Sequence, residues 1–147
     1  VIMKLDDIIS MWQDDVKIDE TELSRESINT PILHGKYLKH YSEQRLKLRS
    51  LKLKQKQLHS KLMDYYRGDL NNPQDLDEIG REPYPHKRLK QEVSSYVESD
   101  NEMIELNIKI AYQSELVEVL EEIMKNINTR GFVIKNSIDF LRFTSGN

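Results

Sequence analysis

Two hydrophobic seams with heptad spacing constrain this chain more than any other feature. Tyr37, Tyr41, Gln44, Leu48, Leu51, Gln55, Leu58, Leu62 and Tyr65 recur at alternating steps of four and three residues. On an α-helix with about 3.6 residues per turn, that rhythm lines up one face. Gln44 and Gln55 interrupt it, and seam polars of this kind fix register at some cost in stability. A second seam follows in Tyr96, Met103, Leu106, Ile110, Gln113, Val117, Leu120, Met124 and Ile127. Ile104, Ile108, Ala111, Tyr112, Leu116, Val119 and Ile123 add apolar surface beside it. One partner helix covers one stripe, so the extra width asks for further neighbours, from this chain or another.

The punctuation between the seams sets the expected boundaries. Asp19 can cap a helix with Glu20 and Glu22 in its first turn, and Thr30-Pro31 predicts either a new start or a kink. Gly68 is a natural left-handed cap, so a long basic helix is predicted over 19–67, kinked or broken near 31. Residues 68–86 hold Asn71-Asn72-Pro73, Gly80, Pro83 and Pro85 among Asp69, Asp75, Asp77, Glu78 and Glu82, and read as an acidic loop. The second long helix is predicted over 87–129, ending at Thr129-Arg130-Gly131, with a C-terminal helix over 131–144. Near the start, Leu5, Ile8, Ile9, Trp12 and Val16 place a short helix within 1–18, from about Lys4 to Gln13, with Trp12 as its packing anchor. Val1-Ile2 ahead of Met3-Lys4 fits either an added remnant or an upstream start. The expected architecture is a single all-α domain, an elongated antiparallel hairpin of two long helices with a short helix at each end.

Composition agrees and excludes much else. Five Gly and four Pro are too few for an all-β fold with its frequent turns. A chain of 147 residues, 37% apolar and 32% charged, suits exposed helices or a subunit that completes its core with neighbours. Without Cys there are no disulfides, thiolate metal sites or thiol nucleophiles, which is compatible with a reducing cytoplasm. No apolar run is long enough for a transmembrane helix, and no signal peptide is visible. There is no GxxxxGK[ST] or GxGxxG loop. His34, His40, His59 and His86 lack metal-ligand spacing, and the carboxylates Glu98, Asp100, Glu102, Glu105, Glu115, Glu118, Glu121 and Glu122 spread around their helix. The expectation is a non-enzymatic protein without cofactor or metal.

The net charge of −3 conceals a strong asymmetry. From Lys36 to Arg67 ten Lys/Arg face only Glu43 and Asp64, so this segment carries +8 and the rest of the chain −11. Lys47, Lys54 and Lys61 repeat every seven residues along one flank of the first seam, as do Arg45 with Lys52 and Arg49 with Lys56. Two explanations stand open: salt bridging to the acidic second helix, or a polyanion site in which phosphates displace counterions. The second makes Lys47, Arg49, Lys52, Lys54, Lys56, Lys61 and Arg67 candidate phosphate ligands. Tyr66 lies off the seam beside Arg67 and is the best candidate for base stacking, while Tyr37, Tyr41 and Tyr65 fit packing roles. At the other end, Phe132, Val133, Ile134, Ile138, Phe140, Leu141 and Phe143 crowd the terminus. Exposed together they would form a large sticky patch, so this segment is expected to dock, as an oligomerisation element.

Three stretches carry a family likeness. They are Leu5-Asp6-Asp7 through Asp14-Asp15-Val16-Lys17-Ile18-Asp19, then Lys61-Leu62-Met63-Asp64-Tyr65-Tyr66-Arg67-Gly68, and finally Thr129-Arg130-Gly131-Phe132-Val133-Ile134-Lys135 with Asp139-Phe140-Leu141-Arg142-Phe143. In order and spacing the chain resembles the UvsY-type recombination mediators of T-even-like bacteriophages over essentially its whole length. The resemblance implies a ring-like homo-oligomer, a hexamer or heptamer, that binds single-stranded DNA without sequence preference. It implies partners in a RecA-like phage recombinase and the phage single-strand-binding protein that the recombinase replaces, in the cytoplasm of the infected host. Where the family carries two basic residues two apart before the tyrosine pair, this chain has His59-Ser60-Lys61-Leu62, so only Lys61 carries over. The rival expectation is a coiled-coil scaffold or adaptor with protein partners only, its basic helix buried against the acidic one.

Overall fold

A computed structural model describes residues 3–86 and 88–146. Val1-Ile2, and Lys87 at the expected start of the second long helix, lie outside the described residues. The described residues form helices and no strands: α1 (Leu5–Asp15), α2 (Leu23–Arg67), α3 (Pro73–Ile79), α4 (Lys90–Glu98) and α5 (Asn101–Thr144). None of these helices is long and apolar enough to cross a membrane. The chain divides into two compact units where one domain was expected, residues 1–46 with 113–147, and residues 47–112.

In the first unit α1 packs with the start of α2 and the end of α5. Lys4 N–H donates to Asp7 Oδ2 at 3.2 Å, which fixes the entry to α1. Ile8, Tyr37, Leu116, Leu120, Ile123 and Ile127 form the buried core, with Trp12, Leu33, Tyr41 and Val119 packed against it. Trp12 meets the Tyr37 ring edge-on at 5.5 Å, so it is the anchor its position suggested. Tyr37 O–H donates to Asp15 at 2.9 Å, and burial together with that bond pushes its pKa up. α2 and α5 run antiparallel here, because Arg130 reaches Glu26 while Gln113 reaches Gln44. The seam polar Gln44 is thereby satisfied: Gln113 Nε2 donates to its backbone carbonyl at 2.8 Å and to Oε1 at 2.9 Å, with both residues buried.

Arg130 is 6% exposed and clasps the first unit. Its guanidinium donates to the Glu26 carboxylate and carbonyl, to the Lys17 carbonyl at 3.1 Å and to Thr30 Oγ1 at 3.1 Å. A buried charge needs such a partner set to offset lost hydration. Two boundaries differ from expectation here, and the choice left open at Pro31 is decided. Asp19 does not cap α2; its carboxylate accepts from Thr21 N–H at 2.9 Å and Thr21 Oγ1 at 2.6 Å in a local turn, and α2 begins at Leu23. Pro31 lies inside an unbroken α2, with Thr30 Oγ1 donating to the Glu26 carbonyl in the turn before it. Thr129-Arg130-Gly131 ends nothing, since α5 continues to Thr144 with Gly131 inside it.

In the second unit the later part of α2 packs against α3, α4 and the start of α5. Leu62, Val93, Val97 and Met103 are buried, with Leu58, Met63 and Tyr66 packed against them. α2 and α5 are antiparallel here too: Gln55 pairs with Asn107 at 2.6 Å and Tyr66 with Asp100 at 2.6 Å. Gly68 caps α2 with φ 78°, the left-handed conformation expected of it. The expected loop over 68–86 instead contains α3, capped by Asn72 Oδ1 accepting from Gln74 N–H at 3.0 Å, with Pro73 in its first turn and Gly80 at φ 64° closing it. Its one buried side chain is Leu76. The expected second helix is divided at Ser99-Asp100. Asp100 Oδ1 accepts from Glu102 N–H at 3.0 Å and so opens α5 as a new helix.

Candidate nucleic-acid interface

In the second unit α2 carries cations on both flanks of its buried seam, Lys47, Lys54 and Lys61 along one and Arg49, Lys52 and Lys56 along the other. Burying Leu48 and Leu62, and half-burying Leu51, Gln55, Leu58 and Tyr65, turns the opposite flanks to solvent. Lys47, Arg49, Lys52, Lys54, Lys56 and Lys61 are all exposed, and Arg67 is half-buried. Lys61 lies 3.9 Å from Glu78, with both side chains half or more exposed. Lys47, Arg49, Lys52, Lys54 and Lys56 make no ion pair or hydrogen bond among the described residues. Glu98, Glu102 and Glu105 are exposed on α4 and α5, so salt bridging to the acidic helix does not account for the row. Helical rise of about 1.5 Å per residue spaces Lys52, Lys56 and the next turn at about 5–6 Å intervals.

Tyr66 differs from expectation. It is half-buried, donates to Asp100 Oδ2 at 2.6 Å and stacks on Tyr96 with ring centroids 5.8 Å apart. Tyr65 and Tyr84 flank it edge-on at 5.2 Å and 4.9 Å. Its faces and hydroxyl are consumed inside the unit, so it offers no platform for a base. Burial, then the bond to Asp100, raises its pKa. Tyr65 is likewise structural, donating to the Glu82 carbonyl at 3.0 Å beneath the Arg81 guanidinium at 5.1 Å.

The hub of this cluster was not legible in the sequence. Arg81 grips Asp100 through two bonds of 2.7 Å and 2.8 Å and lies 3.4 Å from Glu102. Burial pushes the Asp100 carboxyl up, but the bonds from Arg81 and Tyr66 outweigh it and hold the pKa below the usual carboxylate value. The pKa of Arg81 is raised, chiefly by the same bond. Arg88 covers the Tyr96 ring at 4.4 Å and donates to Tyr84 Oη at 3.2 Å. The one available signal was Ser99-Asp100-Asn101-Glu102, a capping pattern hidden inside an apparently continuous helix.

At the end of α5 the apolar residues separate by face. Phe132, Val133, Phe140, Leu141 and Phe143 are exposed, with Phe143 at 82%. Ile134 is buried and Ile138 half-buried in their own unit, so Ile134 offers no surface to another copy. A groove of about 660 Å³ lies between Glu20, Thr21 and Leu23 on one side and Val133, Phe140 and Leu141 on the other. No group of His, Asp or Glu among the described residues could hold a metal ion.

Residues 11–147 match the family described as "Recombination, repair and ssDNA binding protein UvsY". The chain belongs to the UvsY family. Its fold is that of crystallised UvsY, the recombination mediator protein of bacteriophage T4. One T4 crystal form, lattice type II, aligns at 24% identity and a TM-score of 0.84, covering 98% of this chain and 99% of that one. Lattice type IV aligns at 23% and 0.84, covering 96% and 99%, and lattice type I at 23% and 0.82, covering 94% and 98%. No match appears among curated protein sequences. Membership places the chain in a family of recombination, repair and single-stranded DNA binding.

Proposed function

We propose that this UvsY-family protein binds single-stranded DNA without sequence preference through the cationic row of α2, and promotes loading of a RecA-like recombinase in place of single-strand-binding protein. The observation that carries the reading is the unpaired state of Lys47, Arg49, Lys52, Lys54 and Lys56. Five exposed cations on one helix repel each other unless a polyanion neutralises them, and phosphate contacts of this kind are sequence-blind. Lys61 and Arg67 extend the row toward Gly68. The protein has no catalytic step of its own and works in the cytoplasm of the infected bacterium.

Assembly multiplies these contacts. Exposed Phe132, Val133, Phe140, Leu141 and Phe143 join copies into a ring-like hexamer or heptamer, and effective concentration turns weak single-subunit contacts into tight binding. Fluorescence anisotropy of a labelled single strand across a salt series tests the DNA half. With about five phosphates per subunit, log affinity falls against log salt with a slope near −3.5 per engaged subunit. A salt-independent affinity refutes it. Replacing Phe132, Phe140 and Phe143 with Ser tests the assembly half. Light scattering then gives a smaller mass with unchanged helicity, and an unchanged mass refutes the proposed interface.

A further inference from the structure

We infer that a cleft beside the cationic row receives a nucleobase of the bound strand, an inference that rests on the single-strand reading above. The cleft has a volume of about 350 Å³ and lies between α2 and the α4–α5 junction, within the second unit. That volume falls in the range of roughly 300–1,000 Å³ typical of small-ligand sites, and so admits one planar base. Its floor is apolar. Val97 is 1% exposed and Met103 4% exposed, and both belong to the buried core of this unit. Apolar residues beneath a cleft beside cations pair apolar contact for the base with charge for the backbone, the combination that holds single strands.

The charges around the rim decide which part of a nucleotide enters. Lys56 and His59 stand on the α2 lip, three residues apart, and Glu98 stands on the opposite lip. A phosphate is drawn to Lys56 and repelled by Glu98, so it stays on the α2 side and the uncharged base lies over Val97 and Met103. The wall supplies polar contacts. Gln55 Nε2 donates to Asn107 Oδ1 at 2.6 Å, which leaves Gln55 Oε1 as an acceptor and the Asn107 amide protons as donors.

Anisotropy titrations at one salt concentration test this with three labelled strands of equal length: oligo-dC, oligo-dT and an abasic strand. The abasic strand keeps every phosphate and removes every base. For the intact protein it binds at least about tenfold more weakly than oligo-dC and oligo-dT, which bind alike. Asn107→Met lays a flexible apolar chain over the floor from an exposed helical position, so the gap closes while abasic affinity stays unchanged. Asn107→Leu is the second variant, and circular dichroism checks helicity in both. Equal affinity for dC and abasic strands overturns the cleft and leaves the phosphate row standing, as does a gap that both variants preserve. Failure of all three strands to bind overturns the single-strand reading and this inference together.

Discussion

Arg130 and Lys54 are both cations on long helices, and the chain treats them in opposite ways. Arg130 is buried and bonded to Glu26, Thr30 and two backbone carbonyls. Lys54 and its neighbours are exposed and bonded to nothing among the described residues. The first arrangement locks one compact unit internally; the second leaves charge on the other unit with no internal use. Positive charge in this protein is therefore structural where carboxylates reach it and recruiting where they do not. The contrast is sharper because acids are abundant: Glu98, Glu102 and Glu105 belong to the same unit as the lysine row yet leave it unpaired.

Neutralising the row should break that contrast most visibly. Replacing Lys47, Arg49, Lys52, Lys54 and Lys56 with Gln is expected to lower single-strand affinity by at least about a hundredfold near 50 mM salt and to flatten the salt slope toward zero. Melting temperature should stay level or rise slightly, because like charges are removed from exposed flanks. Anisotropy and differential scanning calorimetry read the two effects separately. A large fall in melting temperature would mean that the row is structural after all.

The buried clasp should respond the other way. Arg130→Met leaves the half-buried Glu26 carboxylate unpaired and is expected to cost about 3 kcal/mol, roughly 10 °C in melting temperature, with the DNA salt slope unchanged. The double change Glu26→Leu with Arg130→Met should recover most of that loss, since removing both charges removes the desolvation penalty. If the double variant is no better than the single, the clasp acts through the Thr30 and Lys17 contacts and not through charge.

Asp100 occupies an intermediate position, a buried carboxylate serving Arg81, Tyr66 and the start of α5. Its folded pKa is depressed, so its stabilising contribution is complete above the unfolded carboxylate value of about 3.9 and is lost as pH falls through the lower folded value. Asp100→Asn is expected to cost about 2 kcal/mol at pH 7. The gap between mutant and parent should narrow as the pH is lowered below about 4, which thermal melts at pH 7 and pH 3 can check. A gap independent of pH would show that the carboxylate charge is not what stabilises the unit, since Asn keeps the capping bond.

These outcomes track what a single sequence can reveal. Both seams were legible because their period is imposed by packing within this chain, and every residue of the first seam is buried or half-buried. The cationic row was legible because an excess of charge needs no partner to be seen. What escaped depended on contacts distant in sequence. Tyr66 read as an open aromatic because Asp100, which holds it, lies 34 residues away. Asn72-Pro73 and Gly80 read as loop formers, although the same residues cap a short helix once Leu76 has a core to enter. The terminal apolar cluster was legible as a set, but its division into inward Ile134 and outward Phe132, Phe140 and Phe143 follows from α5 running on without a stop.

Gly131 tests that continuity with the smallest effect. A glycine after Thr129-Arg130 suggested a helix end, yet the residue is helical, its φ is not positive, and a Cβ placed there meets nothing within 4 Å. Within this subunit nothing requires glycine, and glycine inside a helix is about 0.5–1 kcal/mol less stable than alanine. Gly131→Ala is therefore expected to stabilise the subunit by about 1 kcal/mol or less, raising the melting temperature by a few degrees, with DNA affinity unchanged. Light scattering on the same variant separates two reasons for a glycine beside Phe132. An unchanged assembly mass leaves it a site where the subunit is simply less stable than it could be. A reduced mass would show that another copy approaches the α5 backbone there too closely for a methyl group, which would place the interface on the Phe132 side of the helix.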